Sequence, residues 1–145
     1  MSEGKANAQS GHAYLDALLH SLGHSDHSVR QAAQDYAQLK PGTKICLDGG
    51  PAGGFDRLVC GLVQAGIPFV TITDRDHVEL PHFDGNPIVT AIGIGPLSKS
   101  EIPPCLKRLK LWKGGARSHL GLSQGGKPAV SDPGQAEVIQ AIPSR

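Results

Sequence analysis

Three short runs of apolar and β-branched residues, at 44–47, 67–73 and 88–94, alternate with stretches of helical period, and this order constrains the chain most. The first run lies between Pro41-Gly42 and Asp48-Gly49-Gly50-Pro51, the second follows Gly66, and the third is closed by Gly95-Pro96. Ala8, Leu15, Leu18, Leu19 and Leu22 recur at spacings of three and four, which predicts a helix over 6–22 stopped by Gly23. Ser28 with Gln31 makes a capping box for a helix over 29–39. Phe55, Leu58, Val59, Leu62 and Val63 mark a third helix, with Gly66 just past its end. Pro103 and Pro104 suit a first helical turn, 109–112 reads as a last short strand, and the polar stretch 74–86 reads as a loop. Strands alternating with helices imply an α/β fold whose sheet is covered on both faces. Three strands make that sheet thin.

Residues 113–145 differ in character. They hold six Gly, three Pro and no aromatic residue, and their one short apolar group, at 138–142, is too small for a core. The expectation is a folded body over 1–112 and a flexible tail over 113–145.

Composition then narrows the function classes. Aromatics are 4% of the chain, too few for a platform that stacks single-stranded bases. Lys plus Arg number 14 against 13 acidic residues, so any nucleic-acid contact must come from a local patch. No run of about 18 apolar residues suggests a membrane span. Cys46, Cys60 and Cys105 are odd in number and form no C-x-x-C pair, which fits buried thiols in a reducing, cytoplasmic setting.

Lys5, Gln9, His12, Asp16 and His20 fall on one stripe of the first helix, opposite its leucines. The plain reading is a solvated face, but a lysine in the first turn opposes the positive end of the helix dipole. An anion bound beside Lys5 would reverse that sign. Asp74 and Asp76 lie just past a predicted buried strand, where open α/β sheets place their ligands, although strand-end carboxylates also form turns. Their loop adds His77, Glu79 and His82. His20, His24 and His27 with Asp26, or His77 with His82, match no recognised metal-ligand spacing, and the expectation is no metal. The run at 49–54 sits between a strand and a helix but lacks both Lys-Ser/Thr and the G-x-G-x-x-G spacing, so it reads as a turn. Lys107, Arg108, Lys110, Lys113 and Arg117 form the one basic cluster, suited to a phosphate backbone or to plain solvation.

Taken together, Gly4-Lys5-Ala6-Asn7-Ala8-Gln9-Ser10-Gly11-His12-Ala13 resembles the opening signature of type II peptidyl-tRNA hydrolases. The resemblance continues in collinear order through Gly42-Thr43-Lys44-Ile45, Ala65-Gly66-Ile67-Pro68, Ile72-Thr73-Asp74 and Thr90-Ala91-Ile92-Gly93-Ile94-Gly95-Pro96, to Leu109-Lys110-Leu111. It implies a three-layer α/β/α fold with a small mixed sheet of four strands. It also implies metal-free, cofactor-free hydrolysis of the ester between a peptide and the terminal ribose of tRNA, with homodimerisation as a family-level expectation.

The family's functional lysine, aspartate and strand threonine correspond to Lys5, Asp74 and Thr90. From what ester hydrolysis needs, the expected roles are water orientation for Asp74, oxyanion or terminal-phosphate stabilisation for Lys5 and fixing of the substrate end for Thr90. An ordinary aspartate is weakly basic at neutral pH, so His12 is the alternative base. Gln9, His77, Lys107, Arg108 and Lys110 are expected to bind substrate. Two departures stand out. A further family threonine aligns with Val78, and the strand of about ten residues that precedes the Gly-Lys signature in the family is missing before Gly4. A start placed too far downstream, or a strand supplied from elsewhere, would account for the second, and the first of these is the expectation. The rival functions are a tRNA-binding module that has lost catalysis and, last, a metal- or small-anion-binding protein.

Overall fold

The computed structural model describes residues 2–39, 42–50, 53–75, 78–79, 83–113 and 137–143. Helix α1 (Glu3–Leu22) is followed by α2 (His27–Gln38), strand β1 (Thr43–Gly50), α3 (Gly53–Gln64) and β2 (Phe69–Asp74). A hairpin of two two-residue strands, β3 (Val78–Glu79) and β4 (Phe83–Asp84), leads to β5 (Ile88–Leu97), a one-turn helix α4 (Pro104–Lys107), β6 (Lys110–Leu111) and β7 (Glu137–Pro143).

The main sheet has five strands in the order β2-β5-β7-β1-β6. β7 pairs parallel to β1 from Thr43↔Glu137 to Gly50↔Pro143 and antiparallel to β5 from Ile92↔Ala141 to Leu97↔Glu137. This corrects the expectation of a thin sheet in need of an outside strand, and of a flexible tail throughout 113–145. The apolar group at 138–142 is too short for a core of its own, yet a strand needs only two edges to bond to, and β1 and β5 offer them. Within the sheet β1, β7 and β2 run one way, and β5 and β6 run the other.

Side chains alternate across β5 and divide the molecule into layers. Ile92 and Ile94 face Phe55, Leu58 and Leu62 of α3 and Leu106 of α4, all nearly fully buried, in the main apolar core. Each such side chain contributes on the order of 1.5–3 kcal/mol by leaving water. The intervening Gly93 and Gly95 face α1, where an added Cβ would strike the Ala13 carbonyl oxygen and Ser21 Oγ respectively. The helix can lie that close because its inner face is Ala6, Gln9, Ala13, Ala17 and Ser21. The leucine face expected to be apolar and inward is displaced: Leu15 and Leu19 are exposed. Close backbone approach selects small residues, and the helical period alone does not distinguish them from the leucines.

The capping of α2 also differs from expectation. Asp26, not Ser28, is the N-cap, and its Oδ1 accepts the Ser28 N–H at 2.7 Å and the Ser28 hydroxyl at 2.7 Å. Among the described residues no helix is long and apolar enough to cross a membrane.

Candidate active site

The carboxyl ends of β1, β7 and β2 lie along one edge of the sheet, and α1 begins at that same edge. Ser2 caps α1 by accepting the Lys5 N–H at 3.4 Å, which fixes the first turn. The alanine face of α1 on β5 carries this turn to the end of β2, where Asp74 pairs in register with Ile88. Lys5 Nζ forms an ion pair with Asp74 Oδ2, and the two side chains are only 12% and 17% exposed. The carboxylate thus offsets both the lysine charge and the positive end of the helix dipole. A mostly dehydrated ion pair stays in place only with good geometry, and removing one partner leaves the other charged and poorly solvated.

One turn further along α1, Gln9 is 9% exposed and its Oε1 has no partner among the described residues. The stripe that reads as a solvated face therefore splits: Lys5 and Gln9 turn inward, and His12, Asp16 and His20 are exposed. His12 lies seven residues beyond Lys5, a rise of about 10 Å along the helix. Thr90 is 2% exposed, and its hydroxyl donates to the Ile72 carbonyl at 3.2 Å, beside the irregularity in pairing between Ile72 and Thr73. That bond ties the last residues of β2, and so Asp74, to β5. Val78, where the resemblance leads one to expect a hydroxyl, is 64% exposed. Asp76, His77 and His82 lie outside the described residues, as does Arg117, and Glu79 is described only in its backbone pairing with Phe83.

Among the described residues, the remaining histidines do not gather into one cluster. His20 and His24 meet edge to face with ring centroids 5.7 Å apart, and His24 Nδ1 accepts the Asp26 N–H at 3.1 Å. Among the described residues no group of three or more His, Cys, Asp or Glu side chains is placed to hold a metal ion. Where Tyr14 of α1 comes near Cys46 of β1, burial pushes the Tyr14 hydroxyl up to about 12 and also raises the Cys46 thiol. A thiol held protonated in this way is a poor nucleophile.

Beyond the ion pair, a cavity of about 510 Å³ opens at the carboxyl end of β1. Gly49, Gly50 and Gly54 border it, and Arg108 and Lys110 of the basic cluster stand on its rim, whereas Lys107, exposed at the end of α4, does not line it. Arg57 of α3 completes the rim and was not among the residues that the sequence singles out. No spacing rule links it to a cluster some fifty positions away, and only the packing of α3 beside α4 brings the two together.

In the comparisons with known proteins, a family model described as "Peptidyl-tRNA hydrolase PTH2" matches residues 1–112. No curated protein and no solved structure matches the chain.

Proposed function

The chain belongs to the PTH2 peptidyl-tRNA hydrolase family, and from that premise we propose that it hydrolyses the ester between a peptide's carboxyl carbon and the 3′-terminal ribose of tRNA at the Lys5–Asp74 pair. The observation that carries this reading is the ion pair itself, a lysine and a carboxylate largely withdrawn from water and joined at the carboxyl edge of the sheet.

Ester hydrolysis needs a positioned water, stabilisation of the tetrahedral oxyanion and a proton for the departing ribose oxygen. Asp74, anchored by strand pairing and by the Thr90–Ile72 bond two residues before it, accepts a hydrogen bond from the attacking water and aims its oxygen at the carbonyl carbon; the proton that the water loses passes through solvent to the ribose oxygen as the ester bond breaks. Lys5 faces the oxygen that gains charge, or the terminal phosphate, and the N–H groups at the start of α1 add to the same field. Gln9 Oε1 offers a buried acceptor to a substrate hydroxyl or amide. Thr90 serves the site as a positioning residue, because its donor is already used by Ile72. The exposure of His12 and its distance from Lys5 favour water orientation by Asp74 over general-base catalysis by His12.

The test is release of an N-blocked aminoacyl group from tRNA. Lys5→Ala and Asp74→Asn are each expected to lower kcat by about 10²–10³. Release that is equal in wild type and both variants would sink this reading. A second reading, a tRNA-binding module without turnover, draws on Val78, which supplies no hydroxyl four residues after Asp74. It predicts tRNA binding by the wild type with background release only.

A further inference from the structure

The cavity at the carboxyl end of β1 is not used by the chemistry assigned to Lys5 and Asp74. Its floor is apolar, formed in part by the buried Leu58 and the half-buried Leu109. Its rim carries three exposed cations, Arg57, Arg108 and Lys110, from α3, the turn after α4 and β6. None of the three makes an ion pair or side-chain hydrogen bond with another described residue. The one carboxylate in the lining, Asp48, has its Oδ1 turned to the Gly50 N–H at 2.9 Å. Three cations converge on one concave space with a single acid beside them, in a chain whose overall charge is close to neutral. Scattered solvation does not require that convergence, whereas binding an anion does.

The placement of the cavity narrows what that anion can be. Asp74 ends β2 and Asp48 stands near the end of β1, and these strands are separated by β5 and β7. Three inter-strand steps separate the two strand ends by about 14 Å, and the cavity lies on the α3 face whereas Lys5 lies on the α1 face, so a chain joining them around that end of the sheet covers at least this distance. A stacked nucleic-acid strand advances about 3.4 Å per phosphate, so the path takes at least about four stacked nucleotides, or a few extended ones.

We infer that this cavity is a phosphate-binding subsite for the single-stranded acceptor end of tRNA, in which Arg57, Arg108 and Lys110 grip a backbone phosphate a few nucleotides before the scissile ester. The inference rests on the hydrolase reading for the position of the ester. Arginine suits the task because its planar guanidinium pairs two N–H groups with two phosphate oxygens. The glycine border leaves room for the sugar-phosphate chain to approach the backbone. The contact positions the substrate and reads no bases, which agrees with the shortage of aromatic side chains.

The experiment uses the full chain with two probes, deacylated tRNA and a short single-stranded RNA that ends in the tRNA 3′-terminal sequence, and affinities are measured across a salt series. The double variant Arg57→Gln/Arg108→Gln is expected to weaken both by about tenfold or more. On single-stranded RNA the slope of log affinity against log salt should fall by about 0.7 for each phosphate that the variant no longer neutralises. Arg57→Lys/Arg108→Lys, which keeps the charges, should preserve most of the slope. Lys44→Gln, at the opposite end of β1, should change little. In hydrolysis the Gln double variant should act on KM more than on kcat. Thermal unfolding confirms that each variant is folded.

Unchanged affinity and slope in the Gln variant, or an equal fall in affinity in Lys44→Gln, would overturn the subsite. Weaker binding of the Gln variant to inorganic phosphate, measured as a third probe, with RNA affinity intact, would overturn it as well. The two readings fail separately. A wild type that releases no aminoacyl group but binds RNA more tightly than the Gln variant refutes the hydrolase and keeps the subsite. Turnover abolished by Lys5→Ala, with no effect of the Gln variant on KM or RNA affinity, refutes the subsite alone.

Discussion

Gly93→Ala tests how the helix that carries Lys5 is seated. The glycine lies in the middle of β5, and its Cα faces the backbone of α1. A methyl group there would collide with the Ala13 carbonyl oxygen, lie 2.9 Å from the Ala13 carbonyl carbon and 3.0 Å from Val70 Cγ2. The closest atoms are backbone, so no rotamer change relieves the clash, and α1 must retreat by roughly 1 Å to restore ordinary contact. Overpacking of this kind costs about 1–3 kcal/mol, offset in part by the ~0.5–1 kcal/mol that a strand gains when alanine replaces glycine. The same retreat moves Lys5 relative to Asp74, and a misplacement of about 1 Å at a reacting group can lower turnover by about 10²-fold. Urea unfolding and aminoacyl release, measured on one preparation, read the two effects. Gly95→Ala is the control: its methyl group meets Ser21 Oγ, a side-chain atom that can rotate away, so the destabilisation should stay under ~1 kcal/mol. A Gly93→Ala protein with wild-type midpoint and turnover would refute the close docking of α1 on β5.

Truncation before Glu137 should remove the cooperative unfolding transition. β7 is bonded along both edges, and at ~0.5–1.5 kcal/mol per hydrogen bond its removal is comparable to the whole stability of a small domain, ~5–15 kcal/mol. A synthetic peptide of residues 135–145 should restore the transition, and a truncated chain with an unchanged urea midpoint would show that β7 is dispensable. The pH dependence of stability should carry the mark of Tyr14. Its hydroxyl rises from 10.0 to about 12 on folding because burial disfavours the phenolate, so its contribution is complete below pH 10 and is lost as pH climbs from 10 towards 12. Tyr14→Phe should flatten that alkaline decline in the denaturation midpoint, and an identical decline in both proteins would remove Tyr14 as its source.

Much of the fold was legible in the sequence because it rests on local rules. Gly23 ends α1 as expected, and the helical spacing from Phe55 to Val63 and the β-branched run at 88–94 both reappear as regular elements. Asp74 was legible as a strand-end carboxylate and Lys5 as a first-turn cation, since both depend on position within one element. Misreadings occurred where the deciding contact is distant in sequence. Leu15 and Leu19 satisfy the helical period yet are exposed, because two glycines on β5 allow α1 to approach only on its alanine face. One further misreading was local: Ser28 with Gln31 has the pattern of a cap, but Asp26, two residues earlier, has the extended backbone and the acceptor that fill that role.

The sequence by itself therefore determined the α/β class, most of the elements, and the separate presence of a lysine, an aspartate and a basic cluster. It did so because hydrophobic period, turn chemistry and capping act within about one helical turn. Only the tertiary structure decided that Lys5 and Asp74 touch, that Arg57 joins Arg108 and Lys110 around one cavity, and that residues 137–143 lie between β1 and β5. Pairing between strands from different parts of the chain depends on which backbone edges remain open once the other elements have packed. No local pattern in residues 113–145 records that edge.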